Sequence, residues 1–351
     1  MLQVGGRSSD METVSTTASP HRLAPGTRFR TEPIRNPGGS ALIGGVMMLN
    51  GDLIGAAVRL ADGTIRVEQL EPAAPRPWVV AARRLPFARG MAALASGLSA
   101  SIAALLWSAR VTGSGGPDAS GLGSGRASRY AALAFATMVS VAPFWAIHAI
   151  VGAVGGGRLT AGVVEGAVRL TFLSGYLWLV GRWGRIADVF GYHGAEHKTI
   201  ACYEAGDPLV PAVVAGHSRF HPRCGTAFAF WAVMVVTAVG AASGDLGPAV
   251  GALVRVGALS VAVGVGYEIV RAGSRAGTTR LGWALRAPGL VLQHLTTREP
   301  RLDQIETAIA ALRSCATEAQ RLAIDMAVAD YQHFGPQPFA RATEAFSLMS
   351  W

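Results

Sequence analysis

The chain has 351 residues, of which 50% are hydrophobic and 15% charged, and its formal net charge is +9 at pH 7. The high hydrophobicity excludes an intrinsically disordered protein, and three cysteines are too few for a disulfide-rich scaffold. The positive charge comes almost wholly from arginine, since Lys198 is the only lysine, and it flanks long apolar runs. This arrangement predicts a membrane protein in contact with a lipid bilayer and argues against nucleic-acid binding.

The N-terminal part is predicted to lie outside the membrane. Residues 1–37 combine Ser, Thr, Pro and Arg without an apolar run, which predicts a disordered tail and no signal peptide. Residues 38–80 predict a small soluble β element, because Leu53–Leu60 and Thr64–Leu70 flank the turn dipeptide Asp62-Gly63.

The apolar runs predict a mainly α, polytopic membrane protein. Within residues 81–130, the uncharged stretch Gly90–Trp107 is rich in Ala, Gly and Ser and predicts a re-entrant or interfacial helix, followed by a Gly/Ser linker. Four other runs approach the length of about 20 apolar residues that crosses a bilayer. These spans fall in residues 131–183 and 226–270, as Ala131–Val154, Gly162–Val180, Thr226–Ser243 and Leu246–Val270.

The placement of basic residues predicts the topology. The loop of residues 184–225 contains several arginines and Lys198, whereas the loop around Asp245 contains no basic residue. The positive-inside rule therefore places 184–225 and the C-terminal part in the cytoplasm. Because the N-terminal arginines favour the same side, we expect a multi-pass plasma-membrane protein with both termini cytoplasmic. This requires Gly90–Trp107 to enter and leave the membrane on one side.

Residues 271–351 are predicted to form amphipathic and long helices. Leu281–Leu295 has one apolar face and is expected to lie on the membrane surface. Apolar residues recur at helical spacing over 301–334, which predicts one long soluble helix. That helix could bind a membrane or soluble protein partner, and the sequence leaves open whether the chain forms a homo-oligomer.

The predicted cytoplasmic loop contains four of the eight histidines and two of the three cysteines. His193 and His197 are four residues apart, so a helix would place both imidazoles on one face. The order His-x-x-Glu-His is the inverted zinc-peptidase pattern, in which Glu196 could act as the catalytic base. His221 and Cys224 are three residues apart, a short spacing typical of a second ligand pair.

These two pairs predict a divalent metal site, and two forms of it stay open. All four side chains could close a tetrahedral site, or three could leave a position open for water, as in catalytic zinc sites. Zinc is the expected metal, with Fe²⁺ and Mn²⁺ as alternatives. The competing interpretation treats the cluster as ordinary polar and packing residues. Cys202 and Cys315 are expected to be reduced and inert, and Glu204 could support the site as a further carboxylate.

Ionisable residues inside the predicted spans are expected to serve structure. Glu165 and Arg169 are four residues apart and are predicted to pair on one helix face. Glu268 lies three residues before Arg271, at the cytoplasmic boundary, where it could pair or support the histidine site. A transporter is disfavoured because no inverted repeat is evident. Arg255 lies deepest in its predicted span and most needs a partner, and His148 is expected to make a helix–helix contact rather than to relay protons.

Several motifs resemble the YqhQ-like family of bacterial membrane proteins. They are Gly44–Met48, Arg89-Gly90, Tyr192–Glu204, His221–Thr226, Tyr267-Glu268 with Arg271, and Pro288-Gly289 through Gln293 to Thr296–Pro300. The resemblance implies an integral membrane protein with a metal and a soluble N-terminal portion, and members are described as predicted metal-dependent enzymes. The N-terminal motif departs from the family pattern, since Gly44 stands where a glutamate is usual and Leu49-Asn50 replace an arginine and its neighbour.

The sequence and the family resemblance together leave two possible functions. The first is a metal-dependent hydrolase at the cytoplasmic face, with Glu196 polarising water and His193, His197 and either His221 or Cys224 holding the metal. The second is a non-catalytic membrane scaffold or assembly factor, in which the same loop forms a structural zinc site.

Overall fold

A computed structural model of the chain describes residues 33–34, 37–71, 77–113, 146–147, 151, 157–243 and 246–335. Within these residues the fold is mainly α with a small N-terminal sheet, as the sequence predicts. The strands are β1 Gly38–Leu42, β2 Gly45–Asn50, β3 Leu53–Arg59 and β4 Ile65–Leu70. The helices are α1 Pro77–Ala82, α2 Ala88–Val111, α3 Arg158–Val180, α4 Gly184–Ala205, α5 Pro211–Ala215, α6 Gly225–Ser243, α7 Gly247–Arg275, α8 Arg280–Thr296, α9 Leu302–Cys315 and α10 Glu318–Phe334.

The sheet is an antiparallel meander in the order β1-β2-β3-β4. Strands β3 and β4 pair from Ile54 opposite Leu70 to Arg59 opposite Ile65. Between them, Gly63 has a φ of +84°, and the Thr64 N–H donates to Asp62 Oδ1 at 2.9 Å. An Asx turn with a left-handed glycine therefore reverses the chain, which confirms the hairpin predicted from Asp62-Gly63.

Side chains alternate along each strand, so apolar residues lie on both faces of the sheet. Helices cover both of these faces. One face packs on α4 and α9, through Val46, Met48, Ala57, Tyr192, Ala195, Ile305, Ala308 and Leu312. The opposite face packs on the C-terminal half of α2, through Met47, Ile54, Val58, Ala100, Ala104 and Trp107. The sheet thereby fixes α2 and α4 on its two sides.

Helix α2 connects the sheet to α7. Near its C-terminal end, Trp107 Nε1 donates to Glu68 Oε2 at 2.6 Å and Ser108 Oγ donates to the Ile43 carbonyl at 2.9 Å. Near its start, Gly90 lies so close to Tyr267 of α7 that an added Cβ would be 2.7 Å from the tyrosine Cβ. The helix is continuous over 24 residues, so no re-entrant turn occurs within it.

Four described helices are long and apolar enough to cross a membrane, which indicates a membrane protein. These segments are Ala88–Val111, Thr160–Val180, Gly225–Ser243 and Val256–Arg275. The last three match the predicted spans Gly162–Val180, Thr226–Ser243 and Leu246–Val270. The predicted span Ala131–Val154 lies mostly outside the described residues.

Two ion pairs involve charged residues of these helices. Glu165 and Arg169 form the predicted ion pair, and Arg169 Nη1 also donates to Thr237 Oγ1 of α6 at 3.1 Å. Glu268 pairs with Arg89 at the start of α2 instead of Arg271. Tertiary contact thus overrides the local spacing that suggested Arg271. His148 and the side chain of Arg255 lie outside the described residues.

The helix predicted over 301–334 is two helices, α9 and α10. The backbone of Ala316 is extended, and Thr317 begins α10 with a capping box, in which its side chain accepts from the Gln320 N–H. Asn50 of β2 holds the break, since its Nδ2 donates to the Cys315 carbonyl at 3.0 Å and to Gln320 Oε1 at 2.8 Å. The continuous apolar spacing hid this interruption.

Candidate metal centre

Helix α4 carries the first ligand pair, so much of the predicted loop is helical. Its apolar side packs on the sheet and on α9, which fixes its rotation. His193 and His197 then lie one turn apart, with ring centroids 4.4 Å apart. Cys224 stands just before the first residue of α6 and faces them.

Three side chains converge at one point. His193, His197 and Cys224 each offer one ligand atom, and these atoms all lie within 4.8 Å of one another. His193 Nε2 is 3.2 Å from Cys224 Sγ. The ligand types and their closeness suit a divalent metal, zinc or iron above all.

Backbone carbonyls orient both imidazoles. His193 Nδ1 lies 2.9 Å from the carbonyl oxygen of Thr296, and His197 Nδ1 lies 2.6 Å from that of Arg219. A carbonyl can only accept, so in the neutral rings Nδ1 carries the hydrogen and Nε2 keeps a free lone pair. Metal-ligating histidines are typically oriented in this way.

His221 lies beside this trio but is not among the converging atoms. Its ring centroid is 5.6 Å from that of His197, and its Nε2 is 3.5 Å from Glu204 Oε2. Gln293 of α8 holds its backbone, accepting from the His221 N–H at 2.8 Å and donating to its carbonyl at 2.9 Å. Of the four predicted ligands, the structure therefore brings three together.

Burial controls the protonation of the buried ligands. It lowers the pKa of His197, although Cys224 acts in the opposite direction. Burial alone would raise the pKa of the Cys224 thiol, but the side chains of His197 and Thr226 outweigh this effect and hold the pKa below its ordinary value. Metal binding needs a neutral imidazole and a thiolate, and the lowered pKa of each group favours that form.

Glu196 lies in the wall of the same site. Burial raises the pKa of its carboxyl group to about 8, against the opposing effect of His193. Its Oε2 makes no hydrogen bond to any described residue. Gly39 of β1 makes room for it, because an added Cβ there would lie 2.9 Å from Glu196 Oε1.

The segment after α8 fastens the site to α4. Gly194 lies between the two ligand histidines, and an added Cβ would be 2.1 Å from the Arg298 carbonyl oxygen. The Arg298 N–H donates to the Phe190 carbonyl at 2.8 Å. Since Thr296 supplies the carbonyl to His193, this close contact sets the position of that imidazole.

Lys198 stabilises the side of the site that contains Arg219. Its buried ammonium donates to the Ala215 carbonyl at 2.7 Å and the His217 carbonyl at 2.8 Å, and pairs with Glu299 Oε1 at 2.6 Å. It joins three parts of the chain: α4, the segment before Arg219, and the segment after α8.

The site opens into a cavity of about 880 Å³ between α2, α4, α7 and β1. His193, Glu196, His197 and Cys224 all line it. The cavity also reaches Arg271 and Arg275 at the end of α7. A ligand of small-molecule size can therefore reach the three converging atoms.

Sequence reasoning missed the groups that position the ligands. The carbonyls of Thr296 and Arg219 have no sequence signature, because any residue can supply one. The motif Thr296–Pro300 was part of the family resemblance, and that was the one available signal. Its role as the clamp on α4 required the structure.

Comparisons with known proteins agree on a family but give no activity. A family described as "Protein of unknown function (DUF1385)" matches residues 85–318. The "Uncharacterized protein YqhQ" of Bacillus subtilis (strain 168) is 30% identical over 290 residues, which cover 78% of this chain and 89% of that protein. No solved structure matches the chain. The enzymatic activity implied by the resemblance stays a prediction.

Proposed function

The chain belongs to the DUF1385 family, whose description names no activity, so we propose a function from the site itself. We propose that the protein is a membrane-embedded, metal-dependent hydrolase acting at the cytoplasmic face. His193, His197 and Cys224 would hold the metal. One observation supports this proposal above all. Nδ1 of His193 and Nδ1 of His197 each lie within hydrogen-bonding distance of a backbone carbonyl oxygen, while both imidazoles converge on the Cys224 sulfur.

Three lone pairs that face one point repel each other unless a proton or a cation lies between them. Both imidazoles are held with Nε2 as acceptor, and the ligand atoms of His193, His197 and Cys224 all lie within 4.8 Å of one another. A divalent cation satisfies all three at once. Such an ion would supply a Lewis acid and a source of hydroxide near neutral pH.

Glu196 is the proposed base. Its carboxylate lines the cavity with the three ligands, and one of its oxygens is without a hydrogen-bond partner among the described residues. A cation held by the three ligands would lower the pKa of Glu196 from the value of about 8 that burial gives it. The carboxylate would then accept a proton from the attacking water and return it to the leaving oxygen or nitrogen. Ester, amide and phosphoester bonds all fit this step.

Metal analysis tests the proposal. Detergent-purified protein should contain about one zinc or iron per chain by elemental analysis, as one site requires. His193→Ala and His197→Ala should lose it, whereas His333→Ala, at an exposed position of α10, should retain it. Folded wild-type protein that stays metal-free after growth with added zinc and iron would refute the proposal.

The topology is part of the same proposal. Both ends of α2 contact the protein, the start at Tyr267 of α7 and the C-terminal half at the sheet. This supports an interfacial position for α2 rather than a crossing. With α2 on the surface, the arginines after α7 favour cytoplasmic termini in a multi-pass plasma-membrane protein.

A scaffold with a structural metal is the second candidate. The cation would join α4 to the start of α6, as structural zinc sites join chain segments. In addition, α10 exposes Leu322 and Phe334, which could contact a partner or a second copy of the chain. Glu196→Gln separates the candidates: a hydrolase would keep its metal and lose turnover, whereas a scaffold would keep both its metal and its function.

A further inference from the structure

We propose that the cavity binds an anionic amphiphile of the phospholipid class, with its phosphate on Arg271 and Arg275 and its apolar chain along α2. Its assignment as the substrate rests on the proposed function, whereas its binding does not. The argument starts from the two different walls of the cavity.

The polar wall has an excess of positive charge. Three arginines line the cavity, Arg223, Arg271 and Arg275, whereas Glu196 is the one acidic side chain among the described lining residues. Arg223 is already paired with Glu204. The cavity therefore favours an anion.

Arg271 and Arg275 are four residues apart in the last turns of α7, so both lie on one face. Neither guanidinium has a hydrogen bond or an ion pair with the residues that the structure describes, although the charge of Arg271 acts on the nearby Glu268. The nearby carboxylate of Glu268 accepts from Arg89 and from the Phe87 N–H instead. Two guanidinium groups that face a cavity can bind a phosphate through charge-assisted hydrogen bonds.

The remaining wall is apolar. It includes Leu49, Ala93, Leu94, Phe190, Phe228 and Val270. These side chains offer nothing to a free phosphate but can pack on a hydrocarbon chain. A cavity of about 880 Å³ is also far larger than one phosphate group requires.

The position of the cavity gives the ligand access from the lipid. Arg271 and Arg275 end the apolar segment Val256–Arg275, the level at which headgroups meet the protein. Helix α2 forms the neighbouring wall and exposes Met91 and Leu94, which suits contact with acyl chains. Gly97, also in the lining, has no atom within 4 Å of an added Cβ, so open space lies beside α2.

Binding of short-chain lipids tests the proposal. The probes are dihexanoyl phosphatidic acid, dihexanoyl phosphatidylcholine and inorganic phosphate, titrated calorimetrically into the full chain in detergent. Phosphatidic acid should bind at least about tenfold more tightly than either comparator. Arg271→Gln and Arg275→Gln should each weaken it on the order of tenfold, the usual effect of one charged hydrogen bond. Arg280→Gln, an exposed arginine outside the lining, is the matched control.

A second pair of variants tests the apolar path. Gly97→Phe should fill the open space and weaken phosphatidic acid without changing phosphate binding. Leu98→Phe, on the exposed side of the same helix, should change neither. Three results would each overturn the proposal. The first is equal lipid affinity in Gly97→Phe and Leu98→Phe, and the second is equal lipid affinity in the arginine variants and Arg280→Gln. The third is phosphate binding as tight as lipid binding.

The metal content of each preparation keeps the two proposals separate. Arginine-dependent lipid binding by a folded, metal-free protein would refute the hydrolase and leave the lipid site standing. Normal metal content without selective lipid binding would refute the lipid site alone.

Discussion

The sharpest single test of the centre is Gly194→Ala, on the helix that carries both histidines. The added Cβ would lie 2.1 Å from the Arg298 carbonyl oxygen, so the two must separate by more than about 1 Å to reach ordinary van der Waals contact. Overpacking of this kind costs about 1–3 kcal/mol. The segment that moves includes Thr296, whose carbonyl holds His193 Nδ1 at 2.9 Å, and this hydrogen bond would exceed its normal range.

The expected result is a specific loss of metal affinity. Removing a group that orients a metal-ligating histidine typically costs about 10–100-fold in affinity, and we expect a decrease in that range by competition with a chromophoric zinc chelator. Gly184→Ala is the matched control, because it lies in the same helix and an added Cβ there has no atom within 4 Å. If Gly194→Ala binds zinc as tightly as Gly184→Ala, the proposed role of the Thr296 carbonyl is wrong.

Three further predictions concern stability, measured as the midpoint of thermal unfolding in detergent. Lys198→Met removes the charged donor of two hydrogen bonds to backbone carbonyls, a loss of about 1–3 kcal/mol, while the exposed Glu299 is solvated. An unchanged midpoint would exclude Lys198 as a structural anchor. Burial lowers the pKa of His217 below 6.5 despite Asp207, so the folded state favours the neutral imidazole. The stability that His217 contributes is therefore present above about pH 6.5 and is lost as the pH falls through the folded-state pKa. His217→Gln should make the midpoint less sensitive to acid, and an identical pH profile would contradict this. Thr317→Ala removes an N-cap and should cost about 1 kcal/mol, whereas Thr317→Ser should restore the wild-type midpoint.

The elements that follow from local chemistry could be predicted from the sequence. Asp62-Gly63 specifies its turn through one side-chain hydrogen bond and one left-handed glycine, both local properties. The long apolar runs likewise gave three described helices near their predicted bounds. The break before α10 was also local, since Thr317 and Gln320, three residues apart, form a capping box, but the apolar spacing on both sides obscured it.

The site could be predicted only to the level of its residue types. The spacing of His193 and His197 fixes their common face, because a helix repeats every 3.6 residues. Whether Cys224 or His221 completes the site depends on an irregular segment, which local spacing does not determine. Long-range pairing was equally inaccessible, as the pairing of Glu268 with Arg89 across 179 residues shows.

The way the ligands are oriented explains why the distant segment Thr296–Pro300 belongs to the site. Side chains on a helix share a face, but their rings still rotate about χ1 and χ2. For His193 and His197 that freedom is removed by carbonyls from two other segments, and both segments are fastened to α4, one through Lys198 and one through the close approach at Gly194. The orientation of the imidazoles is therefore a property of the backbone packing around α4. Changes in that packing should alter metal affinity while every ligand residue is still present.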